Sequence, residues 1–138
     1  MIKLANVQLW VRDQDEALAF YKGKLGWEVR TDLTMPEMGN FRWLAVSPVE
    51  QPDVSVVLMA IPGQPVMDAQ TAAQVRDLMA KGFTTTLFLT TDDIQAAGEL
   101  LVGGRGVEFV EKPEQRPYGI DGAFRDPSGN NIRVAQLQ

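Results

Sequence analysis

The chain offers carboxylates, tyrosine, lysine and arginine for chemistry, but neither histidine nor cysteine. Its 138 residues contain no His and no Cys. Histidine is the commonest metal ligand and the commonest general base near neutral pH. Cysteine supplies disulfides, thiolate nucleophiles and zinc-thiolate sites. Any catalysis must therefore use the remaining polar side chains or an external cofactor.

The candidate acid–base residues are scattered along the chain. They are Glu28, Asp32, Glu37, Tyr118 and Asp121, with Arg133 or Thr86 available to hold a substrate oxyanion. No pair among them has a spacing that implies a shared site. The sequence therefore gives only thin support for an enzyme.

Composition is that of one ordinary globular domain. Hydrophobic residues make up 45% and charged residues 22% of the chain, and the net charge is −5. An acidic chain with scattered Lys and Arg argues against nucleic acid as a partner, because phosphate binding needs a basic face. No secretory leader and no apolar run long enough to span a bilayer is recognisable. We therefore expect a cytoplasmic protein with no membrane partner.

A strand followed by a capped helix opens the chain. Residues 4–11 alternate apolar and polar side chains, which is typical of a strand with one face on a core. Asp13 with Glu16 three residues later predicts a helix N-terminus. Gly26 predicts the end of that helix and the start of the next strand.

The same pattern returns eighty residues later. Seven positions of the first copy align with seven of the second, and all but the first pair are identical: Val7, Leu9, Asp13, Ala17, Gly23, Gly26 and Glu28 with Leu87, Leu89, Asp93, Ala97, Gly103, Gly106 and Glu108. The second copy predicts a strand over 84–91, a helix over 93–102 and a strand over 107–111. Such a period indicates an internal structural repeat.

Two further strand-like runs follow each copy. They are predicted at 41–47 and 54–61 in the first half, and at 119–125 and 131–137 in the second. A helix over 69–81 connects the halves. The prediction is a single α+β domain over 1–138, with one βαβββ module at about 1–61, a linker helix within 62–82 and a second module at about 83–138.

Motifs along the whole chain resemble the vicinal oxygen chelate superfamily, which includes glyoxalase I, bleomycin-resistance proteins and extradiol dioxygenases. They are Val11-Arg12-Asp13, Phe20-Tyr21, Leu25-Gly26-Trp27, Thr91-Asp92-Asp93-Ile94 and Asp126-Pro127-Ser128-Gly129-Asn130. The resemblance implies that each module curls into an incomplete barrel with the ligand site on its concave side. It also implies a homodimer.

The resemblance assigns the family's four metal-ligand positions, usually His, Glu, His and Glu, to residues that cannot replace them. These are Asn6, Val57, Thr86 and Arg133. A divalent transition ion needs carboxylates or imidazoles, and the arginine would put a positive charge beside the cation. We therefore expect no metal and no cofactor, and the metal-dependent chemistry of the family is in doubt.

Strand parity predicts a cavity wall of mostly apolar and aromatic side chains. The candidate ligand-binding residues are Asn6, Gln8, Trp10, Trp43, Val57, Met59, Thr86, Phe88, Tyr118, Phe124 and Arg133. Each has a plainer alternative as a core, interface or strand-forming residue. Arg133 is expected to meet either a ligand anion or an internal acid such as Asp32 or Glu37. Residues 112–119 form a proline-stiffened loop that could serve as a lid or only as a connection.

Three functions remain open at this point. The first is a non-catalytic binder resembling the bleomycin-resistance branch, which sequesters a drug or metabolite in a metal-free cavity. The second is a glyoxalase-like lyase, isomerase or dioxygenase that has lost the metal or uses a non-standard one. The third is a regulatory domain that needs a partner chain. We favour the binder, with a small-molecule ligand whose identity the sequence leaves open.

Overall fold

The computed structural model describes all 138 residues, which divide into two compact units, Met1–Val75 and Arg76–Gln138. The boundary lies within the connecting helix. The first unit contains β1 (Asn6–Val11), α1 (Gln14–Gly23), β2 (Glu28–Met35), a 3-10 turn (Pro36–Met38), β3 (Phe41–Ser47) and β4 (Ser55–Ala60). The connecting helix, α2, runs from Ala69 to Ala80.

The first unit is a four-stranded sheet in the order β1-β4-β3-β2. The first and last strands of the unit in sequence are neighbours in the sheet. Strand β1 pairs with β4 in parallel, with Gln8 opposite Val57 and Trp10 opposite Met59. The other pairs are antiparallel. Helix α1 covers one face, where the amide of Gln14 donates to the backbone carbonyls of Arg42 and Leu58.

The second unit repeats this arrangement. It contains β5 (Thr86–Thr90), α3 (Ile94–Gly98) continuing as a π-helical turn (Glu99–Gly104), β6 (Phe109–Arg116), β7 (Gly119–Arg125) and β8 (Asn131–Leu137). Its sheet has the order β5-β8-β7-β6, and its first and last strands in sequence, β5 and β8, again pair in parallel. Neither sheet closes into a barrel. The α+β class and the two tandem βαβββ modules of the vicinal oxygen chelate fold are therefore confirmed.

Both module helices begin where an aspartate caps them. The side chain of Asp13 accepts a hydrogen bond from the backbone of Glu16, and Asp93 accepts one from Ala96. Such a cap satisfies an N–H that has no partner within the helix. Each cap fixes where its helix leaves the preceding strand, and thus which face of the sheet the helix covers.

We call the side of each sheet that its own helix covers the helix face, and the opposite side the outer face. On the helix face of the first sheet, Leu9, Leu44 and Leu58 are fully buried. They pack in the core with the aromatic side chains of α1, of which Tyr21 contacts Trp27 at a ring-centroid distance of 5.3 Å. Because side chains alternate along a strand, the residues immediately before and after these leucines point to the outer face.

Strand β6 is longer than the sequence predicted. It continues through Arg116, so the segment predicted as a loop or lid is mostly strand, and only Pro117 and Tyr118 connect β6 to β7. Register shifts lie between Phe109 and Glu111 and between Glu111 and Glu114. These bulges explain the error, because they accommodate Pro113, which lacks the N–H that a regular ladder requires.

The Asp126–Asn130 turn is a buried structural element. One carboxylate oxygen of Asp126 accepts hydrogen bonds from the backbones of Ser128 and Asn130, both at 2.9 Å. Gly129 has φ +105°, and a side chain there would overlap the backbone of Met79. The motif therefore orients β8 rather than contributing polar groups to a site. No helix is both long and apolar enough to cross a membrane.

Candidate functional site

The outer face of the first sheet gathers every candidate residue that the sequence assigned to that module. Strand register aligns Gln8 with Val57 and Trp10 with Met59, and Asn6 precedes them on β1. Trp43 shares this face, two residues from Ala45, which pairs with Val57. Val57 is 1% exposed, so it contributes packing rather than a polar contact.

Three of these side chains line a cavity of about 820 Å³ at one end of the sheet: Gln8, Trp10 and Met59. The opposite wall comes from Met38 and Phe41 and from the segment 61–67 that follows β4. Asn6, Trp43 and Val57 are not part of its lining. The cavity has the size and the mainly apolar wall, with a few polar groups, that small-molecule sites usually show.

The sequence missed the far wall of this cavity. Phe41 has the same strand parity as Trp43, so alternation along β3 could have identified it. Met38 lies in the 3-10 turn and residues 61–67 lie in irregular chain. No periodic pattern reports where such segments pack, so only the folded chain shows them beside Trp10.

The outer face of the second sheet carries Thr86, Phe88 and Arg133. Phe88 pairs with Arg133 across β5 and β8, and Thr86 lies two residues before Phe88 on the same side. The ring of Phe88 is 78% exposed, which is unusual for a large apolar side chain. This face thus presents an accessible aromatic ring beside a guanidinium group.

Arg133 is the centre of an ion-pair network, but its partners are not the predicted ones. Its Nη1 lies 2.6 Å from Oε2 of Glu111, and its Nη2 lies 3.2 Å from Oδ2 of Asp121. The hydrogen bond to Glu111 raises the pKa of Arg133, as does the one to Asp121. Asp32, one of the internal acids expected to pair with it, instead binds Arg42.

Asp121 is the buried member of this network. It is 4% exposed, and its Oδ2 also accepts a hydrogen bond from the hydroxyl of Tyr118. That hydrogen bond raises the pKa of Tyr118, so the phenol keeps its proton at neutral pH. The second oxygen of Asp121 has no hydrogen-bond partner. The structure therefore brings together Tyr118, Asp121 and Arg133, which the sequence had only named separately.

Phe124 lies on the wrong face for a ligand-binding residue, which corrects the sequence-based expectation. It pairs with Ile132 on the helix face of its sheet and is 1% exposed. Its ring contacts that of Phe109 edge-to-face at 6.0 Å. The physical reason is parity, since Ala123 is the β7 residue opposite Arg133 and its neighbour must point into the core.

The positions that the resemblance assigns to the family's metal ligands hold side chains that do not fit a divalent cation. Asn6 and Val57 occupy them on the first sheet, and Thr86 and Arg133 on the second. Val57 has no donor atom, and Arg133 is a cation held by two carboxylates. No group of three His, Cys, Asp or Glu side chains comes together elsewhere. We therefore derive no metal-dependent step for this chain.

Comparison with known proteins points to one family. The model of the Glyoxalase/Bleomycin resistance protein/Dioxygenase superfamily matches residues 3–134. The crystal structure of UcmS2 is 42% identical, with a TM-score of 0.88 over 99% of this chain and 98% of that one. TnmS3, an antibiotic binding protein from Streptomyces sp. CB03234, is 28% identical, with a TM-score of 0.74 over 100% and 98% of the two chains.

A bacterial relative has the same extent. The uncharacterised protein YurT of Bacillus subtilis (strain 168) is 29% identical over 136 residues, which cover 98% of this chain and 99% of YurT. The family match, the βαβββ repeat and the parallel pairing of the first and last strands of each unit lead to the same assignment. The chain belongs to the Glyoxalase/Bleomycin resistance protein/Dioxygenase superfamily.

Proposed function

We propose that this protein binds an aromatic small molecule and sequesters it without transforming it. The observation that carries the proposal is the cavity of about 820 Å³ beside Trp10, whose wall also includes Phe41 and Met59. Aromatic walls bind flat apolar ligands through buried area and ring stacking. The similarity to TnmS3, an antibiotic binding protein, supports an antibiotic as the ligand class.

Titration with antibiotics tests the proposal. Bleomycin, daunorubicin and tetracycline are added separately to the protein while its tryptophan fluorescence is recorded. We expect saturable quenching with at least one of them, and mass spectrometry should recover that compound unchanged. Trp10→Phe should remove most of the quenching, because Trp10 lines the cavity.

Trp43→Phe is the matched control, because Trp43 lies on the same sheet but not in the cavity lining. Its quenching should stay near that of the wild type. Trp10→Ala should weaken binding about tenfold, the equivalent of roughly 1.4 kcal/mol of lost ring contact. Equal effects of changes at Trp10 and Trp43 would contradict the assignment of the site.

A catalytic role is the second candidate, and one observation favours it. Tyr118, Asp121 and Arg133 form a connected acid–base and cationic group. If a bound compound were converted, the Tyr118→Phe variant should lose turnover while retaining affinity. If the ligand is recovered unchanged from both the wild type and Tyr118→Phe, the catalytic role is wrong and only the binding role is left.

We also propose that the protein forms a homodimer. Large apolar side chains remain exposed on the single chain, among them Phe83 at 77% and Phe88 at 78%. Exposed apolar patches of this kind often mark association surfaces. The proposal accords with the oligomeric state that the resemblance implies.

A further inference from the structure

A second cavity, of about 960 Å³, lies on the helix face of the second sheet, away from Phe88 and Arg133. Gly98 and Val102 of the helical segment form one wall. Phe109 and Pro113 of β6 form the other, and Ile120 of β7 closes the floor. All of these residues belong to the unit Arg76–Gln138. The cavity is therefore complete within one module and distinct from the cavity beside Trp10.

The first module fills the equivalent groove with its own side chains. By the eighty-residue repeat, the position of Gly98 corresponds to Leu18, which is half-buried on α1. By strand register, the position of Ile120 corresponds to Arg42. Arg42 spans this groove by binding Asp15 on α1 at 2.7 Å and Asp32 on β2 at 2.8 Å. The two modules thus share a fold but differ in whether the groove is occupied.

Backbone features hold the second groove open. A π-helical turn, Glu99–Gly104, widens the helical segment along it. Pro113 lies in the bulged part of β6, where a Cβ on Gly122 would approach its Cγ to 3.1 Å. A Cβ at Gly98 would meet only the ring of Phe109, at 3.4 Å. The groove is therefore a product of glycine, proline and helix geometry, and no mobile side chain has to move to form it.

The walls determine what the groove can hold. Because α3 runs antiparallel to β6, Gln95 and Lys112 lie at one end of the groove and Glu108 lies at the other. The wall between the two ends is hydrocarbon except at Glu99, whose carboxylate accepts a hydrogen bond from the side-chain amide of Gln95 at 3.3 Å. Charges of both signs therefore border the groove, and its largely hydrocarbon middle has few groups that would satisfy a polar ligand.

We propose that this groove is a second binding site, which takes an uncharged, apolar small molecule the size of a few fused rings. Its volume lies in the range of ordinary ligand pockets. The aromatic edge of Phe109 and the floor at Ile120 provide the contact area. The site is independent of the cavity beside Trp10, so it does not depend on the function proposed above.

The uncharged fluorophore N-phenyl-1-naphthylamine tests this site, because its emission rises in apolar surroundings. Gly98→Leu places in the second module the residue that fills the first. Gly98 has helical dihedral angles, with φ −64° and ψ −43°, so leucine suits the backbone. We expect saturable binding to the wild type and an affinity loss of about tenfold or more in the variant. Gly23→Leu is the matched control, a helical glycine with open space around it, and should bind like the wild type.

A second variant and two further readouts keep the test decisive. Val102→Glu puts a charge on the wall without altering the glycine, and should weaken binding in the same direction. If both variants bind the fluorophore as the wild type does, the proposed site is wrong. If Trp10→Ala alone removes the signal, the fluorophore occupies the other cavity and the inference fails. A change in molecular mass by light scattering in Gly98→Leu would show that a second copy of the chain occupies the groove, which would also overturn it.

Discussion

Arg133 is a poor residue for a metal site, because it is a cation, and it holds two carboxylates in an ion-pair network. It stands at a position that the resemblance assigns to a metal-binding carboxylate of the family, and it binds Glu111 and Asp121. A ligand with an anionic group would compete with these carboxylates for the guanidinium. The guanidinium also gives the buried side chain of Asp121 an ion-pair partner, at 3.2 Å from its Oδ2.

Replacement of Arg133 by methionine should therefore destabilise the protein. Asp121 would keep only its bond from Tyr118, and its second oxygen already lacks a partner. We expect a loss of about 1–3 kcal/mol in the free energy of unfolding, which is the cost of leaving a buried polar group unsatisfied. Urea denaturation measures it.

Arg116→Met provides the comparison, since Arg116 pairs only with Glu114, whose side chain is 65% exposed. Exposed pairs contribute less than about 1 kcal/mol. If the two variants lose equal stability, the contacts of Arg133 with Asp121 contribute no more to folding than an exposed ion pair does.

At the scale of elements, the two module helices are attached to their sheets in different ways. Helix α1 is joined to β2 and β3 through the bridge Asp15–Arg42–Asp32. Helix α3 is joined to β8, where the side chain of Gln136 accepts a hydrogen bond from the backbone of Ile94. The bridge fills the groove in the first module, and its absence at the equivalent positions leaves the groove of the second module open.

The bridge should make the stability of the first module depend on pH in the acid range. The hydrogen bond from Arg42 lowers the pKa of Asp32 below its usual value. A carboxylate with a lowered pKa stabilises the fold above its unfolded pKa, and that contribution is lost as the pH falls through the folded pKa. Arg42→Met should cost about 1 kcal/mol near pH 7, discounted because Asp32 is 37% and Asp15 is 86% exposed.

Thermal melts of the wild type and Arg42→Met are recorded near pH 7 and near pH 3. The gap between their melting temperatures should be smaller at the lower pH, where Asp carboxylates begin to protonate. Lys81→Met serves as the control, because Lys81 forms an exposed pair with Asp77 on neighbouring helical turns. A gap of constant size at both pH values would show that Asp32 is not the group that Arg42 stabilises.

At the scale of the whole molecule, the chain uses one repeated module to build two different surfaces. The first outer face ends in a walled cavity beside Trp10, while the second presents Phe88 beside Arg133. The repeat preserves strand order and helix caps. Function in such a protein resides in the residues that the repeat does not preserve.

The family's usual metals should not stabilise the protein. A metal that binds only the folded state raises the free energy of unfolding by about 2.7 kcal/mol when its concentration is a hundred times the dissociation constant, and the melting temperature rises with it. We expect no shift when Ni²⁺, Zn²⁺, Mn²⁺ or Fe²⁺ is added to metal-stripped protein, because Asn6, Val57, Thr86 and Arg133 are poor donors. A metal-dependent member of the family, treated in parallel, should shift. A clear, saturable shift in this protein would refute our interpretation of the four positions.

The sequence by itself determined the modules, the family and the facing of the candidate residues on β1, β4, β5 and β8. The predicted bounds of β3, β7 and β8 agree with the structure. Alternation and capping are local, so a few neighbouring residues encode them. For the same reason the outer-face positions of Gln8, Trp10, Met59 and Phe88 followed from parity.

Tertiary structure alone decided which distant groups meet. Arg133 reaches Glu111, 22 residues away, because bulges in β6 set the register of that strand. The strand conformation of residues 112–116 depends on the same bulges, whereas the facing of Phe124 depends on the register between β7 and β8. Both cavities are spaces between elements, one bounded by irregular chain and the other opened by a glycine where its repeat has leucine. Local periodicity carries no information about such spaces, because their shape depends on how separate segments pack.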